Sequence, residues 1–187
     1  MSGTPGVGKT TVGKRLAKNL GYEFVDIPAF VKQTRIGKRL GAADSFAVDM
    51  RILKQKLSQH VEDNTVVSGH LLVRLPRKQQ KCIVLRRNPL KLAESLRRRG
   101  YATGKIVENV EAEFLGVVYD DAVKTFGRRR VYQVDTTGRK SFQTSATCLR
   151  IVRGESEGDD VDWFRNLEKK ELDRLLLFLA RRRRVFV

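Results

Sequence analysis

The chain has 187 residues, enough for one globular domain with a modest appendage but not for two full domains. Lys and Arg number 38 against 21 Asp and Glu, a formal charge of +17 that favours polyanionic partners or highly charged anionic substrates, while 41% apolar content excludes a disordered basic tail. The longest strongly apolar run, Leu175 to Ala180, is far short of the ~20 residues of a membrane span, and no signal-type stretch opens the chain. The expectation is a soluble cytoplasmic protein with no membrane partner, or a nuclear one if the source is eukaryotic.

In chain order, Lys9 to Leu20 carries Val12, Leu16, Ala17 and Leu20 at helical spacing, with Gly21 as C-cap, and Tyr22 to Asp26 reads as a strand. Asp44 to Val61 places Phe46, Met50, Leu53, Leu57 and Val61 on one face and predicts a single helix capped by Asp44 or Ser45. Thr65 to Ser68 and Lys81 to Arg86 are apolar runs of the buried parallel-strand type. Asn88 and Pro89 open a helix that runs to Arg99, and Ile106, Val110, Phe114 and Val117 mark another. A last strand is expected at Val131 to Val134, a helix capped by Ser141 reaches about Val152, and Asp162 to Ala180 is expected as one final helix. This alternation is that of an α/β domain with a parallel sheet. Cys82 and Cys148 lack metal-ligand spacing and are expected as reduced packing residues.

Charge divides the chain in two. Residues 154–173 hold eight acids and three bases, and residues 174–187 hold five arginines and no acid, so these stretches cancel and the whole excess lies in residues 1–153. The expected organisation is a basic body over 1–153, a hinge-like stretch from Gly154 to Gly158, and a C-terminal helix with an Arg181 to Arg184 tail over 154–187.

The decisive motif is Gly3-Thr4-Pro5-Gly6-Val7-Gly8-Lys9-Thr10, followed by Thr11, which matches G-x-x-x-x-G-K-[ST] and precedes an amphipathic helix. Gly3, Gly6 and Gly8 let backbone N–H groups turn inward around phosphate oxygens. Lys9 is placed to reach the β and γ phosphates of ATP and Thr10 to ligate Mg²⁺, while the helix N-terminus favours the anion. Such a loop leaves the end of a central strand, yet only Met1 and Ser2 precede Gly3, so that strand is expected as a stub whose remainder belongs upstream of Met1.

Together with this loop, Val66-Val67-Ser68-Gly69-His70, Arg99-Gly100-Tyr101 leading to Lys105-Ile106-Val107-Glu108-Asn109, and Tyr132-Gln133-Val134-Asp135-Thr136-Thr137-Gly138 follow in order. Over residues 2–140, and in character into the helix containing Trp163, the chain resembles the small adenylate-kinase-like P-loop ATPases of archaea and eukaryotic nuclei. These are the adenylate kinase isoenzyme 6, or coilin-interacting nuclear ATPase, type. The resemblance implies a nucleoside monophosphate kinase-like fold with the acceptor nucleotide held by about residues 27–62 and a short lid at about 99–106. It carries His70 over as a residue near the γ phosphate, Arg99 as the lid arginine that closes on the transferring phosphoryl group, and Thr136 and Gly138 as part of the loop around the adenine. It also implies AMP or another nucleoside monophosphate as acceptor, with a small-subunit ribosomal protein and rRNA as partners.

Two departures from that pattern bear on activity. Ser68 stands where the family has the Asp that holds Mg²⁺ through water, leaving Asp26 as substitute carboxylate; Phe30 stands about where the family tends to have an arginine, leaving Lys32, Arg35, Lys38 and Arg39 for the acceptor phosphate. The expected function is an adenylate kinase with slow ATP hydrolysis acting in small-subunit maturation. The alternatives are a nucleotide-gated assembly factor with vestigial phosphotransfer, or an inactive truncated homologue. Residues 1–153 hold 30 bases against 13 acids, so their surplus cannot be paired internally, and RNA contact through sites such as Arg128, Arg129 and Arg130 is expected.

Overall fold

The computed structural model describes residues 1–40, 45–77 and 79–180. Its elements are β1 (Ser2–Gly3), α1 (Lys9–Leu20), β2 (Glu23–Asp26), α2 (Ile27–Thr34), β3 (Gly37–Leu40), β4 (Ser45–Val48), α3 (Met50–His60), β5 (Thr65–Ser68), β6 (Cys82–Arg86), α4 (Pro89–Arg98), α5 (Thr103–Phe114), α6 (Val117–Phe126), β7 (Val131–Asp135), α7 (Ser141–Arg153), α8 (Trp163–Asn166) and α9 (Lys169–Ala180), with a 3₁₀ turn at Arg128–Arg130. Asp44 and the Arg181 to Arg184 tail lie outside the described residues, as does the side chain of Arg39.

β1, β6 and β7 form one parallel sheet and β2 and β5 a parallel pair. Met1 joins them: its ammonium donates to Val67 O at 2.6 Å and its carbonyl accepts from Gly69 N–H at 3.2 Å, the pattern of a parallel bridge opposite Ser68. The strand order across the layer is therefore β2, β5, β1, β6, β7. β1 has two residues, and a cavity of about 40 Å³ lies beside it, bordered by Val67, Leu72, Cys82 and Phe126. Burial of the Met1 amine lowers its pKa, because the charged form gives up its water.

All five residues of β6 are buried, as a central strand covered on both faces requires. Ile83 and Leu85 join the main core with Val12, Leu16, Leu92, Leu96, Val110 and Ile151, while Cys82 and Val84 turn to the other face, against Ala122 and Phe126 of α6. A second core, built on Val25, Phe30, Leu53, Leu57 and Val73, lies under α2 and α3. Both cysteines are free and buried, as expected, and desolvation pushes the Cys148 thiol up to about 12.

Several expectations are corrected. The single helix from Asp44 to Val61 is instead β4 followed by α3: β3 and β4 pair antiparallel, Gly37 opposite Val48 and Lys38 opposite Ala47, and Asp49 starts the helix by accepting from Arg51 N–H at 2.7 Å. The helix expected to include Val117 ends at Phe114. Gly116 follows at φ 71°, a left-handed conformation that side chains disfavour, and α6, which the sequence reading did not anticipate, begins after it. Ser141 is the first residue of α7 and Lys140 its N-cap. The final helix is two, because Leu167 adopts an extended conformation that buries its side chain in the main core, between α8 and α9.

The Gly154 to Gly158 stretch expected as a hinge is tied down. Asp159 N–H donates to Gln133 O at 2.8 Å, the Asp159 carboxylate accepts from Asp135 N–H and from Arg139, and a Cβ at Gly158 would fall 2.4 Å from Gln133 O. Val161, Trp163, Leu167 and Leu175 belong to the same core as the body. Charge divides the chain near residue 153; packing does not.

Candidate functional site

The loop from Gly3 to Gly8 leaves β1 and enters α1 at the C-terminal ends of the parallel strands, where α/β sheets bind ligands. Gly3, Thr4, Gly6 and Val7 are buried, the Val7 side chain anchoring the loop in the main core. Gly3 is required by close approach: at φ 142°, a Cβ there would lie 2.5 Å from Leu85 O. Gly8, at φ 97°, is the N-cap of α1 and supplies no side chain to its first-turn N–H groups, and no acid occupies that turn. Those donors and the positive end of the helix are therefore left without a capping side chain, beside exposed Thr10 and Thr11.

Lys9 Nζ donates to Gly3 O at 2.8 Å and to Thr4 O at 3.0 Å, neutral carbonyls that hold it in place without cancelling its charge. Desolvation lowers its pKa to about 8; Glu113 and Asp26 oppose that shift and Arg99 adds to it. His70 lies at the exposed rim, and desolvation followed by the charge of Lys9 lowers its pKa, favouring the neutral ring near pH 7. Arg99, the C-cap of α4, opens the connection Arg99–Ala102 to α5, so the stretch 99–106 consists of this connection and the first turn of α5. Lys9 thus feels the charge of Arg99, and His70 that of Lys9.

Thr10 Oγ1 donates to Asp26 Oδ2 at 3.1 Å, while Asp26 Oδ1 accepts from Ala29 N–H and caps α2. Asp26 pairs in register with Ser68, which puts both side chains on one face of the sheet, and the buried Ser68 Oγ has no hydrogen-bond partner. The substitute carboxylate therefore sits one strand away from the position it replaces, in contact with the threonine. Among the described residues no three His, Cys, Asp or Glu gather to hold a metal by themselves. The donor set fits Mg²⁺ whose remaining ligands are phosphate oxygens and water.

One expected residue has other employment. Thr136 is buried, and both its N–H and its Oγ1 donate to Arg86 O, at 2.9 and 3.0 Å, so it fastens the loop after β7 to β6. Gly138 adopts φ 68°, and a Cβ there would meet nothing within 4 Å. Phe30 is buried in the second core with its ring 5.2 Å from that of His60, so α2 offers the acceptor no arginine there; Lys32, Arg35 and Lys38 are exposed. Arg128, Arg129 and Arg130 precede β7 and so lie at the opposite end of the sheet from the phosphate loop.

Sequence reading missed two residues. Arg87 places Nη1 3.5 Å from Gly6 O, and its buried Nε has no partner. Its pKa is lowered by desolvation and then by Arg98 and Arg99, against the opposing charges of Glu94 and Asp135. Glu113 is buried among donors that include Thr4 and Trp163. The clue was present: Ile106, Val110 and Glu113 share a helix face at spacings of four and three, so an acid falls on the buried side of α5.

The fold and this site define a P-loop nucleotide-binding protein. A family model described as "AAA domain" matches residues 1–116. The chain is 35% identical over 175 residues to a protein of Thermococcus onnurineus named "Putative adenylate kinase", covering 90% of this chain and 92% of that protein. It is 37% identical over 154 residues to a protein of the same name from Thermococcus kodakarensis, covering 82% and 84%. Among solved structures, a sulfotransferase from Alicyclobacillus acidocaldarius superposes with a TM-score of 0.51 at 16% identity, over 96% of this chain and 90% of that one, a likeness of fold alone. The chain belongs to the AAA-domain P-loop family and, within it, groups with archaeal proteins carrying that adenylate kinase name. Among the described residues no helix is long and apolar enough to cross a membrane.

Proposed function

We propose that this protein is a nucleoside monophosphate kinase of the adenylate kinase type, catalysing ATP + AMP to two ADP, with slow ATP hydrolysis as a side reaction. The observation that carries this reading is the grouping of Lys9, Thr10 with Asp26, and Arg87 at the glycine loop, with the charge of Arg99 reaching Lys9. In the transfer, an oxygen of the AMP phosphate forms a bond to the γ phosphorus as the bond from that phosphorus to the β–γ bridging oxygen breaks, and ADP leaves with the bridging oxygen. Lys9 moves from the Gly3 and Thr4 carbonyls to the β and γ oxygens, and Arg99 and Arg87 take up charge that spreads over the phosphoryl oxygens. Thr10 and Asp26 would hold Mg²⁺, which when bound would neutralise phosphate charge. Neutral His70 orients the γ phosphate or its water.

A second reading, a nucleotide-gated assembly factor whose phosphotransfer is vestigial, is favoured by Phe30 in the core and Ser68 in place of the carboxylate. The isoenzyme 6 resemblance and the surplus cations support a role in small ribosomal subunit maturation with an rRNA-bound protein. Two reduced, buried cysteines support a reducing compartment such as the cytoplasm. The test is a coupled assay of ADP formation. Adenylate kinase activity requires that ADP appear only with both ATP and AMP, and that Arg99→Ala lower kcat by about 100-fold with little change in ATP affinity. Hydrolysis indifferent to AMP establishes the second reading.

A further inference from the structure

The nucleotide chemistry leaves one buried acid unused. Glu113 is 1% exposed and lies in the last turn of α5, the helix that follows the Arg99–Ala102 connection. Four donors from separate parts of the chain end on its carboxylate. Thr4 Oγ1 donates to Oε2 at 2.6 Å, while Arg86 Nε at 2.8 Å, Trp163 Nε1 at 3.0 Å and Arg87 N–H at 3.1 Å share Oε1. Arg86 also donates to Glu113 O at 2.7 Å and to the Gln133 side chain, so the pair is fully engaged. A buried ion pair of this kind is weak evidence for stability and better evidence for a specified geometry.

Two of the four donors belong to the phosphate loop and its border. Thr4 lies within the loop, its own carbonyl accepts from Lys9, and Arg87 reaches Gly6 O. The third, Trp163, belongs to α8, where it anchors residues 161–180 in the main core. Oε2 has Thr4 as its partner, so any shift of the loop is felt directly at this carboxylate. When phosphate draws Lys9 off the carbonyl of Thr4, the Thr4 side chain is free to readjust against Glu113, and the sharing at Oε1 readjusts with it.

We propose that Glu113 is a positioning residue for the phosphate loop and that its shared carboxylate couples nucleotide occupancy to the docking of the C-terminal segment through Trp163. This rests on the nucleotide reading of the loop. The coupling is reciprocal: whatever loosens Trp163 weakens nucleotide binding, and nucleotide alters the surroundings of Trp163.

Trp163 is the chain's only tryptophan, so the protein carries its own reporter. The full chain is titrated with Mg·ADP, with binding measured by calorimetry and the response by tryptophan emission. The wild type changes emission along the calorimetric isotherm. Thr4→Val binds Mg·ADP about tenfold more weakly and loses the emission change, whereas Thr4→Ser, which restores the hydroxyl, stays within about twofold and keeps it. Trp163→Phe, read by calorimetry alone, weakens binding about threefold or more with packing retained, and decides the matter if Thr4→Val does not fold. Lower melting temperatures with unchanged Mg·ADP affinity in Thr4→Val and Trp163→Phe overturn the coupling and leave Glu113 as scaffolding. An absence of calorimetric binding in the wild type overturns the nucleotide reading itself, and the coupling with it.

Discussion

Lys9 is a charged group that the fold holds in an unfavourable state until phosphate arrives, and that makes nucleotide affinity depend on pH in a definite direction. Its pKa is lowered from 10.5 to about 8, chiefly by burial, while its direct partners are the carbonyls of Gly3 and Thr4. In the free protein Lys9 is therefore about nine-tenths protonated at pH 7 and about one-tenth at pH 9. Bound phosphates favour the ammonium and return its pKa toward the ordinary value, so binding at pH 9 takes up about 0.9 proton and binding at pH 7 about 0.1. Mg·ADP affinity then falls about tenfold between pH 7 and pH 9, a range in which phosphate itself, with a pKa near ~6, does not titrate. Calorimetry at each pH in two buffers of different ionisation enthalpy measures the proton count directly. The stability effect has the opposite sense. A lysine whose folded pKa is depressed costs stability below about pH 8, and that cost is relieved as pH rises from about 8 to 10.5. The full shift corresponds to roughly 3 kcal/mol, which solvent access and the two lost hydrogen bonds reduce to about 1 to 2 kcal/mol. Lys9→Met consequently melts about 2 to 6 °C higher than the wild type at pH 7, with the gap closing toward pH 10.5. Intact Mg·ADP binding at pH 9 with no proton uptake would refute the reasoning.

Asp26→Asn keeps the cap on α2 but removes the charge beside Thr10, and raises the Mg²⁺ concentration needed for half-maximal activity about tenfold; an unchanged requirement would reduce Asp26 to a helix cap. Ser68→Asp adds a second carboxylate beside Asp26, so it lowers the melting temperature without metal and lowers the Mg²⁺ requirement with it; lost activity would place the metal elsewhere. Replacing Arg128, Arg129 and Arg130 with Ser reduces the slope of log affinity for single-stranded RNA against log salt by about 2, at ~0.7 per phosphate contact. Because these arginines sit at the far end of β7, Mg·ADP affinity stays unchanged, and an unaltered salt slope would remove them from any RNA surface.

Features written in a few consecutive residues were legible. The phosphate loop, the helix from Lys9 to Leu20 with its Gly21 cap, the all-buried strand at Cys82–Arg86 and the Asn88-Pro89 helix start each depend on local backbone chemistry and short-range pattern. Where the reading failed, a partner distant in sequence or a single residue outweighed a sound local pattern. Phe46, Met50, Leu53 and Leu57 fit a helical face, yet pairing with Gly37–Leu40 takes Ser45–Val48 into a hairpin and leaves the helix to start at Met50. At Leu167, burial of one side chain outweighed helix continuity.

The site divides along the same line. Its glycines, Lys9 and Thr10 lie together in the chain, so sequence alone determined which residues form the proposed phosphate loop. Asp26 was nameable as a substitute carboxylate only because a strand ends there, and its 3.1 Å contact with Thr10 depends on how β2 lies against α1. The spacing of α5 hinted that Glu113 is buried, but the partners of Arg87 and Glu113 could be placed only by tertiary structure. One is separated from the loop by 81 residues and the other by 109, and neither differs in type from the many charged residues at the surface. Burial among specific donors makes Glu113 part of the site, and burial is a property of the packed chain that no stretch of sequence carries by itself.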